Sequence, residues 1–169
     1  AQKIKDKTVS VENHELNVLE LLEELKMNYG TTQNKALFLT WDQPAEFPLM
    51  MTDAVKLRLI LRNLISNAIK FTEKGSVQVS TEFNAKSQSL EFKVSDTGIG
   101  IAKEAIPGIF HQFLQLQPSQ INPMTGMGLG LYIVKTLTHL LGGKVAVESE
   151  PGKGSAFIVT VPAHAVTTN

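Results

Sequence analysis

Cysteine is missing altogether, and with it go disulfide frameworks, thiolate nucleophiles and zinc knuckles. The absence fits a reducing compartment. Four scattered histidines offer no metal-ligand spacing. An excess of either charge is lacking too: sixteen basic side chains balance sixteen acidic ones, so nothing pulls the whole chain onto phosphate backbones or anionic lipid. No nucleic-acid partner and no direct membrane contact are expected. No apolar run reaches the roughly 18 residues of a membrane span, and the polar start at residues 1–7 is not a secretory signal. A soluble, cytoplasmic domain is expected, monomeric in isolation. Because the sequence opens on Ala1 in a Lys-rich stretch, it reads as a piece of something longer, and any membrane anchor of the parent is expected outside it. What remains is 169 residues, 43% of them apolar, enough for one domain with a core of its own.

Hydrophobic spacing lays out the elements. Leu16, Leu19, Leu22 and Leu25 recur at intervals of three, widened by Val18 and Leu21, so a helix is predicted over residues 14–29, stopped by Gly30. Residues 36–41 form a short aromatic strand whose Trp41 is expected in the core. Thr52 and Asp53 are N-cap candidates for a helix over 54–71 with Leu57, Leu61, Leu64, Ile65 and Ala68 on its buried face, closed by Gly75. Two strand pairs follow, 76–83 with 89–95 and 144–149 with 155–161, each joined by a turn-forming segment. Between them lies a helix over 128–141. Helices alternating with hairpins point to an α+β fold: a two-layer α/β sandwich with helices on one face of a mixed, mostly antiparallel sheet. Residues 112–125, with Pro118 and Pro123, fit no element, and a lid is expected there.

Three motifs could carry chemistry. On the helix 54–71, Asn63, Asn67 and Lys70 fall within roughly a 40° arc. Asparagine is a mediocre helix former, so two of them one turn apart invite explanation. A carboxamide oxygen is a hard neutral ligand suited to Mg²⁺, and Lys70 could meet a phosphate as a point charge. A solvated polar face would look the same. Next, Asp96 ends an apolar strand and is followed by Gly98 and Gly100. A half-buried carboxylate can accept a hydrogen bond from the exocyclic amine of adenine, whereas guanine presents an oxygen there. The two glycines could let the backbone approach a base and sugar; a plain hairpin exit is the other reading. Third, Gly126, Gly128 and Gly130 alternate with Met127, Leu129 and Leu131 at a helix start, where free N–H groups suit phosphate. No GK[ST] ending makes it a Walker A loop, and no third glycine at Leu131 makes it a Rossmann fingerprint.

In this order the motifs resemble those of the ATP-binding catalytic domain of bacterial sensor histidine kinases, in the superfamily shared with gyrase-type, chaperone and mismatch-repair ATPases. Residues 63–72 are similar to its N box, 96–100 to its G1 box, 109–113 to its F box, 126–131 to its G2 box and 152–155 to its last glycine box. The resemblance implies a Bergerat-type ATP-binding fold using ATP and Mg²⁺. It implies that Asn67 holds Mg²⁺, Lys70 contacts phosphate, Asp96 reads adenine, Ser155 supports that contact through water, and residues 112–125 are the ATP lid. Asn63, Phe71, Gly98, Gly100, Ile101 and residues Gly126, Met127, Gly128, Leu129, Gly130 and Leu131 would complete the nucleotide contacts, with Asn63 and Lys70 closest to the chemistry.

Asn63 also informs on the reaction. Hydrolytic members of the superfamily carry a glutamate there, and an amide cannot accept a proton at neutral pH. The implied activity is a two-component phosphorelay kinase, transferring the γ-phosphate to a histidine on a dimerising helical hairpin, with a response regulator downstream. On this reading residues 1–13 are a linker from the hairpin, 14–163 the catalytic domain and 164–169 a tail. The His14-Glu15 pair lacks the proline expected after an acceptor histidine; His14 is expected in an ordinary helix, with His111, His139 and His164 structural. The lid stretch departs from the family in containing neither Arg nor Lys. A free-standing ATPase and a nucleotide-free interaction module stay open as alternatives.

Overall fold

Alternation at period two builds the sheet. In the strand Ser89–Asp96, Leu90, Phe92 and Val94 are buried while the residues between them are not; in Gly154–Pro162 the buried side chains are those of Ser155, Phe157, Val159 and Val161, after a buried Gly154. The computed structural model describes residues 10–29, 36–110 and 127–166. Its strands are β1 (His14–Leu16), β2 (Leu37–Asp42), β3 (Met50–Thr52), β4 (Gly75–Asn84), β5 (Ser89–Asp96), β6 (Lys144–Glu150), β7 (Gly154–Pro162) and β8 (His164–Ala165). Its helices are α1 (Val18–Tyr29), α2 (Ala54–Lys70) and α3 (Met127–Leu140), with a 3-10 turn at Ile106–Gly108.

Five strands form the main sheet in the order β2-β4-β5-β7-β6. Both expected hairpins are there, and β2 joins as the parallel member against β4. A parallel pair needs a crossover, which the segment carrying α2 supplies. The helices cover one face: α2 packs on β4 and β5 with Leu57, Ile60, Leu61, Leu64 and Ile65, and α3 packs on β6 and β7 beside α2 with Leu131 and Val134. At about 1.5 to 3 kcal/mol for each large apolar side chain, this layer dominates the stability. The fold class read from the sequence is the one observed.

Several expectations change at the boundaries. The first helix begins at Val18, and His14 lies in β1, paired antiparallel with Thr52. Asn17 caps α1 by accepting a hydrogen bond from the Glu20 N–H at 3.2 Å, and Leu16 is buried by strand pairing instead of by helical phase. β1, β3 and β8 form a small second sheet, so His164, expected in a tail, is a strand residue facing Met51. Trp41 is half-buried, with the Lys26 ammonium 5.9 Å above its ring. Gly75, expected to close α2, opens β4 with φ +131°, and Phe71 caps the helix.

At the start of α2, Asp53 is the N-cap, as its sequence position suggests. Its Oδ1 accepts from the Lys56 N–H (3.1 Å), while Oδ2 accepts from the Lys56 ammonium (3.0 Å) and from the Glu12 N–H (2.9 Å). Lys56 also donates to the Ser10 carbonyl at 2.7 Å, so one buried ion pair fastens the segment before β1 to the helix start. Burial pushes the Asp53 carboxyl up, but the hydrogen bonds from Glu12 and Lys56 together with the Lys56 charge hold it below its ordinary 3.8.

Candidate functional site

The register that places Leu90, Phe92 and Val94 against the helices puts Asp96 next in the same series, at the end of β5. Asp96 faces Ser155 on β7, and Ser155 faces Ser149 on β6. Behind this polar row lies the apolar row Val94, Phe157 and Val147. The helix-facing side of the sheet thus ends in three polar residues, next to the C-terminal turn of α2. Asn67, Ala68 and Phe71 of that turn, with Asp96, Ile99, Gly100, Ile101, Ser155 and Phe157, line a single cleft. A water-sized sphere finds about 10 Å³ there, enough for about one molecule, so a ring system enters only if side chains such as Phe71, Ile99 or Phe157 yield.

Asp96 is fixed through one oxygen. Oδ1 accepts from the Gly98 N–H at 2.8 Å and from the Ser155 N–H at 3.3 Å, which leaves Oδ2 for the cleft. Burial raises its pKa above 3.8, against the two backbone hydrogen bonds that favour the charge. A carboxylate held in this way offers a single acceptor to whatever enters.

The amide stripe is brought together as expected. Asn63 and Asn67 both face Gly130 of α3: a Cβ on Gly130 would stand 3.2 Å from Asn63 Oδ1 and 3.3 Å from Asn67 Nδ2. Asn63 is turned by its own helix, its Nδ2 donating to the Leu59 carbonyl at 2.8 Å. Asn67 Nδ2 is buried without a hydrogen-bond partner among the described residues. The orphaned Nδ2 is a donor and can serve only an acceptor; the atom of Asn67 that suits a metal is its hard neutral carboxamide oxygen, and the absence of a side chain at Gly130 lets α3 come close to both amides without filling the space between them. Among the described residues no group of three His, Cys, Asp or Glu could hold an ion, so a Mg²⁺ would rest on Asn67 and on the ligand's own oxygens. Lys70 is exposed, with its ammonium 5.6 Å from the centre of the Phe71 ring.

Gly98 and Gly100 have a packing role of their own. A Cβ on Gly98 would meet the Phe71 carbonyl oxygen at 2.2 Å, and one on Gly100, at φ +74°, would meet the Glu150 carbonyl oxygen at 2.2 Å. Their missing side chains admit neighbouring backbone, and so close the G1 loop onto α2 and the β6–β7 turn, while Gly100 also lines the cleft. Leu131, expected among the ligand contacts, is wholly buried in the core. Met127, Gly128, Leu129 and Gly130 form the first turn of α3. Gly126, residues 112–125, His111 and Phe113 lie outside the described residues. Sequence reasoning missed Ala68, Ile99, Phe157 and Ser149. The signal for the last two was the hairpin register, countable from the turn at residues 150–154.

Comparison with known proteins places the chain in a family. The family described as histidine kinase-, DNA gyrase B- and HSP90-like ATPase matches residues 52–165. The aerobic respiration control sensor protein ArcB of Escherichia coli (strain K12) is 36% identical over 168 residues, 97% of this chain and 21% of that protein. Full-length ShkA in complex with AMPPNP superposes with a TM-score of 0.80 at 30% identity over 94% of this chain and 33% of that one. The nucleotide-free catalytic domain of the histidine kinase ThkA gives 0.73 at 25% identity, over 89% of this chain and 95% of that one. The chain spans about a fifth of the length of ArcB. It belongs to the histidine kinase-, DNA gyrase B- and HSP90-like ATPase family, and within that family to the ATP-binding catalytic domains of sensor histidine kinases.

Proposed function

We propose that this domain binds Mg-ATP and transfers its γ-phosphoryl group to a histidine on a separate helical hairpin of the parent sensor kinase, with a response regulator downstream. One observation carries the reading: among the described residues Asp96 Oδ2 has no hydrogen-bond partner, and it lies in a cleft that Asn67 also lines. On this reading the adenine amine donates to Asp96, Asn67 holds Mg²⁺ against the phosphates, and Lys70 and the first turn of α3 meet phosphate oxygens. Mg²⁺ supplies neutralisation of charge on the phosphates; the protein supplies position. In the transfer the bond from the γ-phosphorus to the β–γ bridging oxygen breaks, ADP leaves, and a bond to the acceptor imidazole nitrogen forms.

Asn63 favours transfer over hydrolysis. Its amide is held against the Leu59 carbonyl, and a carboxamide cannot take a proton from water at neutral pH. Calorimetry with Mg-ATP, followed by incubation with labelled ATP with and without the parent hairpin, tests the proposal. Saturable binding, no label on this domain alone and acid-labile phosphate on the added hairpin are expected. Steady phosphate release without the hairpin would assign the domain to the hydrolases, and absence of any binding heat would leave an interaction module.

A further inference from the structure

The polar row that ends the sheet has a third member, Ser149, which no part of the ligand reading above uses. Its side-chain oxygen has three partners: it accepts from the Ile101 N–H at 2.7 Å, donates to the Gly154 carbonyl at 3.0 Å and lies 2.7 Å from Ser155 Oγ. A serine hydroxyl has one proton and two lone pairs. With the proton given to Gly154 and one lone pair taken by Ile101, the only bond left for Ser155 is to donate its own proton to Ser149. The Ser155 oxygen then turns lone pairs, and no proton, toward the cleft.

We propose that Ser149 is a positioning residue for base recognition: it fixes the proton of Ser155, so that the cleft wall presents two acceptors, Asp96 Oδ2 and Ser155 Oγ. The consequence is chemical. An aminopurine edge has a donating amine beside an accepting ring nitrogen. Asp96 takes the amine directly. The ring nitrogen, an acceptor, meets another acceptor at Ser155, and only a water can join them, giving one proton to each. The empty cleft beside these groups is already the size of about one water, and the base takes its own space as Phe71, Ile99 or Phe157 yield. Without Ser149, the Ser155 hydroxyl can rotate and donate elsewhere, and the bridge to the ring nitrogen loses its fixed direction.

This inference rests on the nucleotide reading above, and the test separates the two. Affinities for ATP, for purine riboside triphosphate, which lacks the amine, and for 1-deaza-ATP, which lacks the ring nitrogen, are measured by calorimetry. Wild type is expected to prefer ATP over 1-deaza-ATP by up to about tenfold, the worth of one hydrogen bond. In Ser149→Ala that preference shrinks to about twofold or less while the preference for ATP over purine riboside triphosphate persists; Ser149→Thr, which keeps the hydroxyl, restores both. Merely structural loosening would lower all three affinities together. If Ser149→Ala does not fold, Ser149→Cys, whose thiol fills the same space but accepts weakly, carries the same test. A 1-deaza-ATP gap unchanged in the Ser149 variants overturns the inference alone. Failure of wild type to bind ATP overturns the nucleotide reading itself.

Discussion

An ionised carboxylate beneath a helix end costs stability, and among the described residues Asp96 is kept there by two backbone donors. Burial raises its pKa above 3.8, so between 3.8 and the raised value the folded protein holds a proton that the unfolded chain has lost. Stability therefore falls as pH rises through that window. Asp96→Asn keeps an acceptor for Gly98 and Ser155 and removes the charge. Chemical denaturation is expected to find it at least as stable as wild type at pH 7, the difference vanishing below pH 3.8. The same change turns an amide donor toward the cleft, opposite a donating amine. ATP affinity is expected to drop by about ten- to a hundredfold, and inosine triphosphate, with an oxygen in that place, to lose less. A variant that is destabilised at pH 7 and still binds ATP as wild type does would contradict both halves. Asp96 was legible in the sequence because an acidic residue closing an apolar strand breaks the pattern. Ser149 was not, since a serine in a strand tells nothing until its partners are counted across two ladders.

At the scale of the element, α2 joins two jobs: its first turn is bolted to the preceding chain and its last two turns carry the amides. Asp53→Ala removes the cap and leaves Lys56 buried without its partner, and a loss of roughly 2 to 5 kcal/mol is expected in denaturant unfolding. Because the folded pKa of Asp53 lies below 3.8, its contribution is whole above pH 3.8 and is lost as pH falls through the lowered value. The gap between wild type and the variant should accordingly close only in that acid range; a gap that closes near pH 6 would refute the assignment. The other end responds to Gly130. A Cβ there crowds Asn63 and Asn67, so Gly130→Ala should change stability by less than about 1 kcal/mol, helix propensity offsetting the crowding, yet weaken Mg-ATP more than metal-free ATP. Equal weakening with and without Mg²⁺ would argue against a metal at Asn67. Element types were readable wherever periodicity ran long, as in α2, β4 and β5. The error at residues 14–17 came from letting Leu16 continue the leucine spacing when Asn17 already signalled an N-cap, with Leu16 buried instead by a three-residue strand whose partners lie far along the chain.

For the whole molecule, the cleft draws on segments far apart in sequence: Asn67 and Phe71, Asp96 to Ile101, and Ser155 with Phe157. They meet only because the sheet orders β5 beside β7 and lays α2 across them. The two hairpins and the helices were visible in the sequence, but not the pairing of β5 with β7 that joins the hairpins. The parallel placement of β2 and the small sheet of β1, β3 and β8 depend on long-range pairing that no local pattern encodes. A site assembled this way exists in the folded chain and not in the unfolded one, so ligand and fold stabilise each other. At a hundred times its dissociation constant, Mg-ATP adds about 2.7 kcal/mol. In a domain of this size that raises the melting temperature by about 5 to 10 °C. Thermal unfolding should show this rise with Mg-ATP for wild type, and at most about half of it for Asp96→Asn at the same concentration. Equal rises in both would mean that the nucleotide binds away from Asp96, and the polar row at the sheet's end would then have no part in recognising it.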